Sequence, residues 1–232
     1  MVLVSVIIPT FNRYTFVLRA VHSVLQQTHK EVEILVIDDA STDEDYKFLP
    51  DVLKPYSNVQ VIRCPVNLRT VFQTKHAQGE TRNVGLKVAK GEYVAFLDDD
   101  DFWLPTKLQT QLQQMNKYPD HKLCSTNAIT GHGLSLQTYG NLYFHTPLGH
   151  QLDEQASSFD LAYISETNYI MNSSVIMHKS IVDTIGYLTT IVAEDWDYWK
   201  RSLVHTKCLY LKEPLIGYDM GHGFGKAYDY GN

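Results

Sequence analysis

Cysteine is scarce in this chain: Cys64, Cys124 and Cys208 stand far apart among 232 residues. Their odd number and unpaired spacing exclude a disulfide framework and a zinc pattern, and they fit a reducing compartment. Long apolar runs are missing too. The opening Val2 to Ile8 is too short to span a bilayer, lacks a basic leader and runs straight into Pro9-Thr10-Phe11-Asn12-Arg13. No later segment reaches membrane-spanning length, so the expectation is a cytoplasmic protein without a transmembrane segment. Any contact with the cytoplasmic face of a membrane then needs a surface patch. Positive charge is in deficit, with 20 Lys and Arg against 26 Asp and Glu and a formal net charge of -6. Broad electrostatic binding of nucleic acid is therefore not expected, because it needs clustered basic residues. Repeats and low-complexity tracts are absent as well, which excludes a solenoid.

What remains is the composition of an ordinary globular protein, 44% hydrophobic and 20% charged, long enough for one α/β domain with a substantial core. Val2 to Ile8 and Val32 to Ile37 are β-branched runs of the kind found in strands covered on both faces. Between them Val17, Leu18, Val21, Val24 and Leu25 recur at helical spacing, with Arg19, His22 and Gln26 on the other side. A helix over Asp43 to Lys54, a strand over Val59 to Cys64, a helix over Glu80 to Ala89 and a strand over Tyr93 to Leu97 continue the alternation. Leu104, Leu108, Leu112 and Met115 mark one more helix. After Leu123 the pattern loosens into a loop-rich region. Within it, Asn168 to Met177 reads as a strand, and His178 to Ile185 and Glu194 to Val204 as helices, before a Gly- and aromatic-rich tail from Gly217 that reads as a flap.

Alternating strands and helices imply a mostly parallel twisted sheet whose ligand site lies beyond the carboxyl ends of its strands. The polar clusters obey that rule. Pro9 to Arg13 follows the first strand, Asp38-Asp39 the second, and Asp98-Asp99-Asp100-Asp101 the fourth. Adjacent carboxylates repel one another, and a divalent cation with oxygen ligands turns that repulsion into binding. The same acids also suit the start of the helix announced by Pro105. Glu194, Asp195 and Asp197 likewise suit the first turn of a helix, where the macrodipole favours acids.

Taken together the segments Val6 to Arg13, Val36 to Asp43, Arg82-Asn83-Val84-Gly85, Gly91 to Asp101 and Glu194-Asp195-Trp196-Asp197 resemble the family 2 glycosyltransferases, inverting enzymes with the GT-A nucleotide-sugar fold. The resemblance runs over nearly the whole chain. It implies one GT-A domain over residues 1–232, a Rossmann-like sheet flanked by helices, with a nucleotide-sugar half (1–123) and a less regular acceptor half (124–232) that carries the catalytic base. It implies that Thr10 and Phe11 contact a base, that Asp39 accepts from a pyrimidine imide, and that Arg13 and Arg82 position base or phosphate. Asp98 and Asp99 fall on the donor-binding acidic motif, with Asp99 near the ribose, and Asp100 is its metal ligand for Mn2+ or Mg2+. His222 is a second candidate ligand, and Asp195 falls on the catalytic base. The implied partners are a nucleotide-sugar donor, a UDP-sugar by preference, and a glycan or other hydroxyl acceptor.

Two departures from the family pattern stand out. Asn67 to Gly79 is longer than the common connection, and its Lys75 and His76 lack family counterparts. The chain also lacks the extension many members carry after the last core strand, an arrangement compatible with one excised module. Tyr143 and His145 are candidates for the acceptor region, as is Tyr198, whereas Trp196 and Trp199 follow core spacing with Leu203. The competing readings are a non-catalytic nucleotide-sugar binding module of a larger glycan-assembly protein, which needs no base, and a nucleotidyltransferase. The latter normally carries a Gly-rich basic phosphate loop near its first strand, and none follows Ile8.

Overall fold

The structure is a computed structural model that describes residues 2–74, 76–143, 149–190 and 193–222. Lys75 and His145 lie outside the described residues. The chain begins with β1 (Val4–Thr10), α1 (Tyr14–Leu25), β2 (Val32–Asp38), α2 (Leu49–Leu53), β3 (Val59–Arg63), α3 (Leu68–Phe72), α4 (Gln78–Val88) and β4 (Tyr93–Phe96). Then come β5 (Phe102–Trp103), α5 (Lys107–Lys117), β6 (Leu123–Gly131), β7 (Asn141–Leu142), β8 (His150–Gln151) and β9 (Ala156–Phe159). The last elements are α6 (Leu161–Ile164), β10 (Ile176–His178), α7 (Lys179–Ile185), α8 (Glu194–Leu203) and β11 (Cys208–Asp219).

The strands form one mixed sheet in the order β3-β2-β1-β4-β10-β6-β11-β9-β8, with β5 on β11 and β7 on β6. Its first four strands are parallel, as the β-branched runs predict. Beyond β4 the direction changes: β10 runs antiparallel to both β4 and β6, while β6 and β11 pair in parallel. Side chains alternate between the two faces. Val4, Val6 and Ile8 of β1 join one core and Ile7 the other, and in β2 Ile34 and Val36 oppose Leu35 and Ile37.

Several sequence expectations shift. The helix expected over Asp43 to Lys54 divides into a 3-10 turn, Glu44–Phe48, and α2, because Pro50 fits only a helix's first turn. The strand expected over Asn168 to Met177 shrinks to β10, which starts at Ile176. Before it, Asn168 accepts from Ile170 N at 3.0 Å and Ser174 donates to Met171 O at 2.8 Å, local bonds that fold the chain into a 3-10 turn at Asn172–Ser174. The region after Leu123 holds two long strands, β6 and β11. Ser125, Thr126 and Asn127 of β6 are buried yet polar, which conceals the strand from an apolar pattern. Gly217 to Asp219, the start of the expected flap, belong to β11.

Close packing of α4 on β1 depends on Gly85. A Cβ there meets Ile7 Cγ2 at 2.6 Å, inside any real contact distance, whereas a Cβ on Gly140 meets nothing within 4 Å. Gly85→Ala is therefore expected to lower stability by about 1–3 kcal/mol through overpacking, despite alanine's helix preference, and Gly140→Ala to leave it nearly unchanged. Urea unfolding of both variants checks this; equal midpoints remove the packing argument.

Candidate functional site

The carboxyl ends of β1, β2 and β4 open on a cavity of about 400 Å³ lined by Thr10, Phe11, Arg13, Asp39, Arg82, Asp98, Asp99, Asp100 and Asp195, among others. Most of the residues singled out in the sequence thus line one cavity. His222 joins them through Arg13, whose Nη2 donates to its carbonyl at 2.5 Å.

At the β1 end, Thr10 donates to Asp99 Oδ2 at 2.7 Å and also bonds the Tyr46 hydroxyl. At the β2 end, Asp38 serves the local turn: its carboxylate accepts from Ser41 N at 2.9 Å and pairs with Arg63 at 3.2 Å. Asp39 faces the cavity and accepts from Leu68 N at 2.7 Å. Burial raises its pKa to about 6, against the lowering effect of that bond.

The acidic run is held by two guanidinium groups. Arg13 Nη1 lies 3.1 Å from Asp99 Oδ1 and 2.9 Å from Asp100 Oδ2. Arg82 bridges Asp98 and Glu194, each at 2.6 Å. Burial opposes the charge on Arg82, but Asp98 and Glu194 outweigh it and keep its pKa above the ordinary arginine value. Asp101 is turned away and accepts from Asp219 N at 2.8 Å, a loop-holding role. Compensation is incomplete, since burial and then neighbouring Asp99 raise Asp100 to about 7.

Among the described residues no three carboxylate, imidazole or thiol groups converge to hold a metal alone. Magnesium-like sites seldom need such a cage, because one or two carboxylates suffice when substrate phosphates and water complete the shell. Asp100, a cavity-lining carboxylate with Asp98, Asp99 and Asp219 around it, fits such a partial site, and the backbone carbonyl of His222 is tied to it through the guanidinium of Arg13. The His222 ring bonds Asp219 at 3.0 Å through Nδ1, which orients it.

Opposite the acids, α8 begins at the cavity wall. Asp195 Oδ1 accepts from Trp196 N at 2.7 Å, and Asn168 Nδ2 approaches Oδ2 at 3.4 Å. Burial, then Glu194, raises the Asp195 pKa to about 6. The helix is anchored by Tyr198 and Trp199, both fully buried; Tyr198 donates to Gly186 O at 3.0 Å, so it is core and has no acceptor role. Trp196 is half-buried and donates to Ile164 O at 2.7 Å.

Other wall residues escaped the sequence reading. Arg69 lies 6.0 Å over the Phe11 ring, and Asn172 donates to Asp98 at 2.9 Å. A second space of about 150 Å³ adjoins Asp195 and is lined by Asp98, Tyr143, Asn168, Asn172 and Tyr218, among others. Arg19, read as the outer face of its helix, donates to the Asp100 carbonyl and sits against Phe16, Phe102 and Tyr139. The DxGH spacing of Asp219 and His222 was the available signal for Asp219; nothing local marks Arg69 or Asn172.

Comparison with known proteins places this geometry in context. WfgD of Escherichia coli, named a UDP-Glc:alpha-D-GlcNAc-diphosphoundecaprenol beta-1,3-glucosyltransferase, is 31% identical over 192 residues, covering 77% of this chain and 72% of that protein. WfaP of the same species, with the same activity in its name, is 39% identical over 115 residues, 50% of this chain and 42% of that one. The match spans 30% of the length of a relative from Nostoc and 17% of one from Rickettsia felis, so several relatives are much longer. Among solved structures, S. aureus TarS 1-349 in complex with UDP-GlcNAc shares the architecture with a TM-score of 0.74 at 20% identity, over 95% of this chain and 59% of that one. The GT-A fold expected from the motifs is thus the fold observed. Residues 5–178 match the family model Glycosyl transferase family 2, and with WfgD similar over most of its length, the chain belongs to that family.

Proposed function

We propose that the chain is an inverting glycosyltransferase that moves a sugar from a UDP-sugar to a hydroxyl of a glycan or related acceptor, with Asp195 as its general base. The observation that carries the reading is that Asp195 and the Asp98 to Asp100 acids line one cavity with Thr10, Phe11 and Asp39. The UDP-Glc donor in the names of WfgD and WfaP supports a UDP-sugar, and the diphosphoundecaprenol-linked acceptor in those names supports work at a membrane face. No helix among the described residues is long and apolar enough to cross a membrane.

In this reading the uracil ring enters between Thr10, Phe11 and Asp39, and Asp99 meets the ribose. Asp195 removes the acceptor proton as the acceptor oxygen attacks the anomeric carbon; the bond from that carbon to the diphosphate oxygen breaks on the opposite face. One displacement inverts the anomeric configuration, in keeping with the beta linkage in the names of both relatives. Arg82 fixes the distance between Asp98 and Glu194, and so the separation of donor and base. Asp100 and His222 would hold Mn2+ or Mg2+, which supplies neutralisation of charge on the departing diphosphate.

Asp195→Asn is expected to lower transfer by about 10²–10⁴-fold while UDP affinity stays close to wild type. Near-normal turnover removes the base assignment. The pH profile follows from the raised Asp195 pKa: the base works only when ionised, so kcat/KM is expected to be full well above pH 6 and lost as pH falls through about 6. A profile that stays flat to pH 5 counts against Asp195. EDTA is expected to suppress transfer and added Mn2+ to restore it; an unchanged rate in EDTA ends the metal role.

A further inference from the structure

We propose that Arg13 is a tethered counter-cation that gives up Asp100 to a divalent cation and turns to the donor's diphosphate, so that cation and donor bind as a coupled pair. The inference rests on the reading of Asp100 as a cation ligand. Its basis is that the guanidinium of Arg13 occupies the Asp100 carboxylate, the group suited to hold a cation, and is braced on the backbone carbonyl of His222. Nη1 reaches Asp99 at 3.1 Å and Asp100 at 2.9 Å, while Nη2 reaches the His222 carbonyl at 2.5 Å. The Arg13 side chain is 10% exposed and those of both acids 8%. Adjacent carboxylates this deeply buried need a resident positive charge, and Arg13 supplies it.

A divalent cation on Asp100 and a guanidinium on the same carboxylate repel at short range in a low-dielectric pocket. Each therefore weakens the other's hold on Asp100. The backbone of Arg13 is fixed independently of its guanidinium: its N donates to the Tyr46 hydroxyl at 3.0 Å just before α1, so a change of side-chain partner leaves the main chain in place. A guanidinium released beside the acids faces the incoming diphosphate, whose oxygens match its fork of donors. The diphosphate thus both completes the cation's shell and receives the displaced Arg13. Linkage then requires reciprocity: UDP strengthens cation binding by the same factor as the cation strengthens UDP binding.

The test is Mn2+ binding, followed by the electron paramagnetic resonance of free Mn2+, on wild type, Arg13→Gln, Arg13→Lys and Arg69→Gln, each with and without UDP. In wild type, saturating UDP is expected to tighten Mn2+ binding by about tenfold or more, within the usual range of coupling between sites. Arg13→Gln is expected to bind Mn2+ about tenfold more tightly than wild type without UDP, because the competitor is gone, and to lose most of the coupling. Arg13→Lys falls between them, since an ammonium cannot span both acids and the His222 carbonyl; it serves if the glutamine variant does not fold. Arg69→Gln removes a positive charge elsewhere on the cavity wall and is expected to give no such gain. If neither Arg13 variant binds Mn2+ more tightly than wild type, or if Arg69→Gln gains as much, the exchange is wrong while the cation reading stands. If no variant binds Mn2+ even with UDP, both fall.

Discussion

Like-charge repulsion at the end of β4 is the constraint from which the rest of this site follows. Asp98, Asp99 and Asp100 leave one strand end together, and the side chains of Asp99 and Asp100, 8% exposed, cannot stay buried without a positive partner, while the half-buried Asp98 meets the buried Arg82. Arg82 and Arg13 supply the positive charge, and in doing so each ties the acidic loop to a remote part of the chain. Arg82 reaches Glu194, 112 residues away in sequence, and Arg13 reaches the carbonyl of His222. Removing one partner of such a pair leaves a buried charge uncompensated, which typically costs about 3–5 kcal/mol. The ion pairs therefore act as cross-links that set the spacing of the cavity walls.

The sheet provides the surface on which those cross-links act. β1 lies between β2 and β4, the point where strand order reverses, and loops at such a point diverge to leave a crevice. Parallel pairing puts Thr10 beside Asp38, so the loops after β1 and β2 leave the sheet at one level. The opposite wall depends on α8, which buries Tyr198 and Trp199 against Phe96 of β4. That contact couples the helix carrying Asp195 to the strand carrying the acids. A carboxylate held by core packing is also a desolvated one, which is why the same burial that positions Asp195 raises its pKa.

The acidic groups of the cavity are consequently not equivalent. Asp101 is spent on the backbone of Asp219, Asp98 on Arg82 and Asn172, and Asp99 on Thr10 and Arg13. Asp100 has to share Arg13 with Asp99, and Asp195 faces the second space beside Tyr143 and Tyr218. Identical side chains in a row have thus been given different tasks by what each one meets.

Much of this could be read from residue order. The β-branched runs of β1 and β2 mark buried parallel strands, because only strands covered on both faces are apolar without alternation. Strand ends followed by polar clusters then locate the cavity, and Asp39, Asp98 to Asp100 and Asp195 all lie on it. The second half resisted because β6 buries Ser125, Thr126 and Asn127, and because local bonds around Asn172 override the extended pattern. Arg19 looked solvent-facing by helical spacing, yet it packs among aromatic rings and holds the Asp100 carbonyl. Residue order alone therefore determined the periodic elements, the parallel half of the sheet and the rim where chemistry collects, since those follow from local hydrophobic spacing. Which guanidinium neutralises which carboxylate, and which acids have to share one, was decided only by tertiary contacts, because Coulomb energy and desolvation depend on distance in space and burial, neither of which a linear pattern contains.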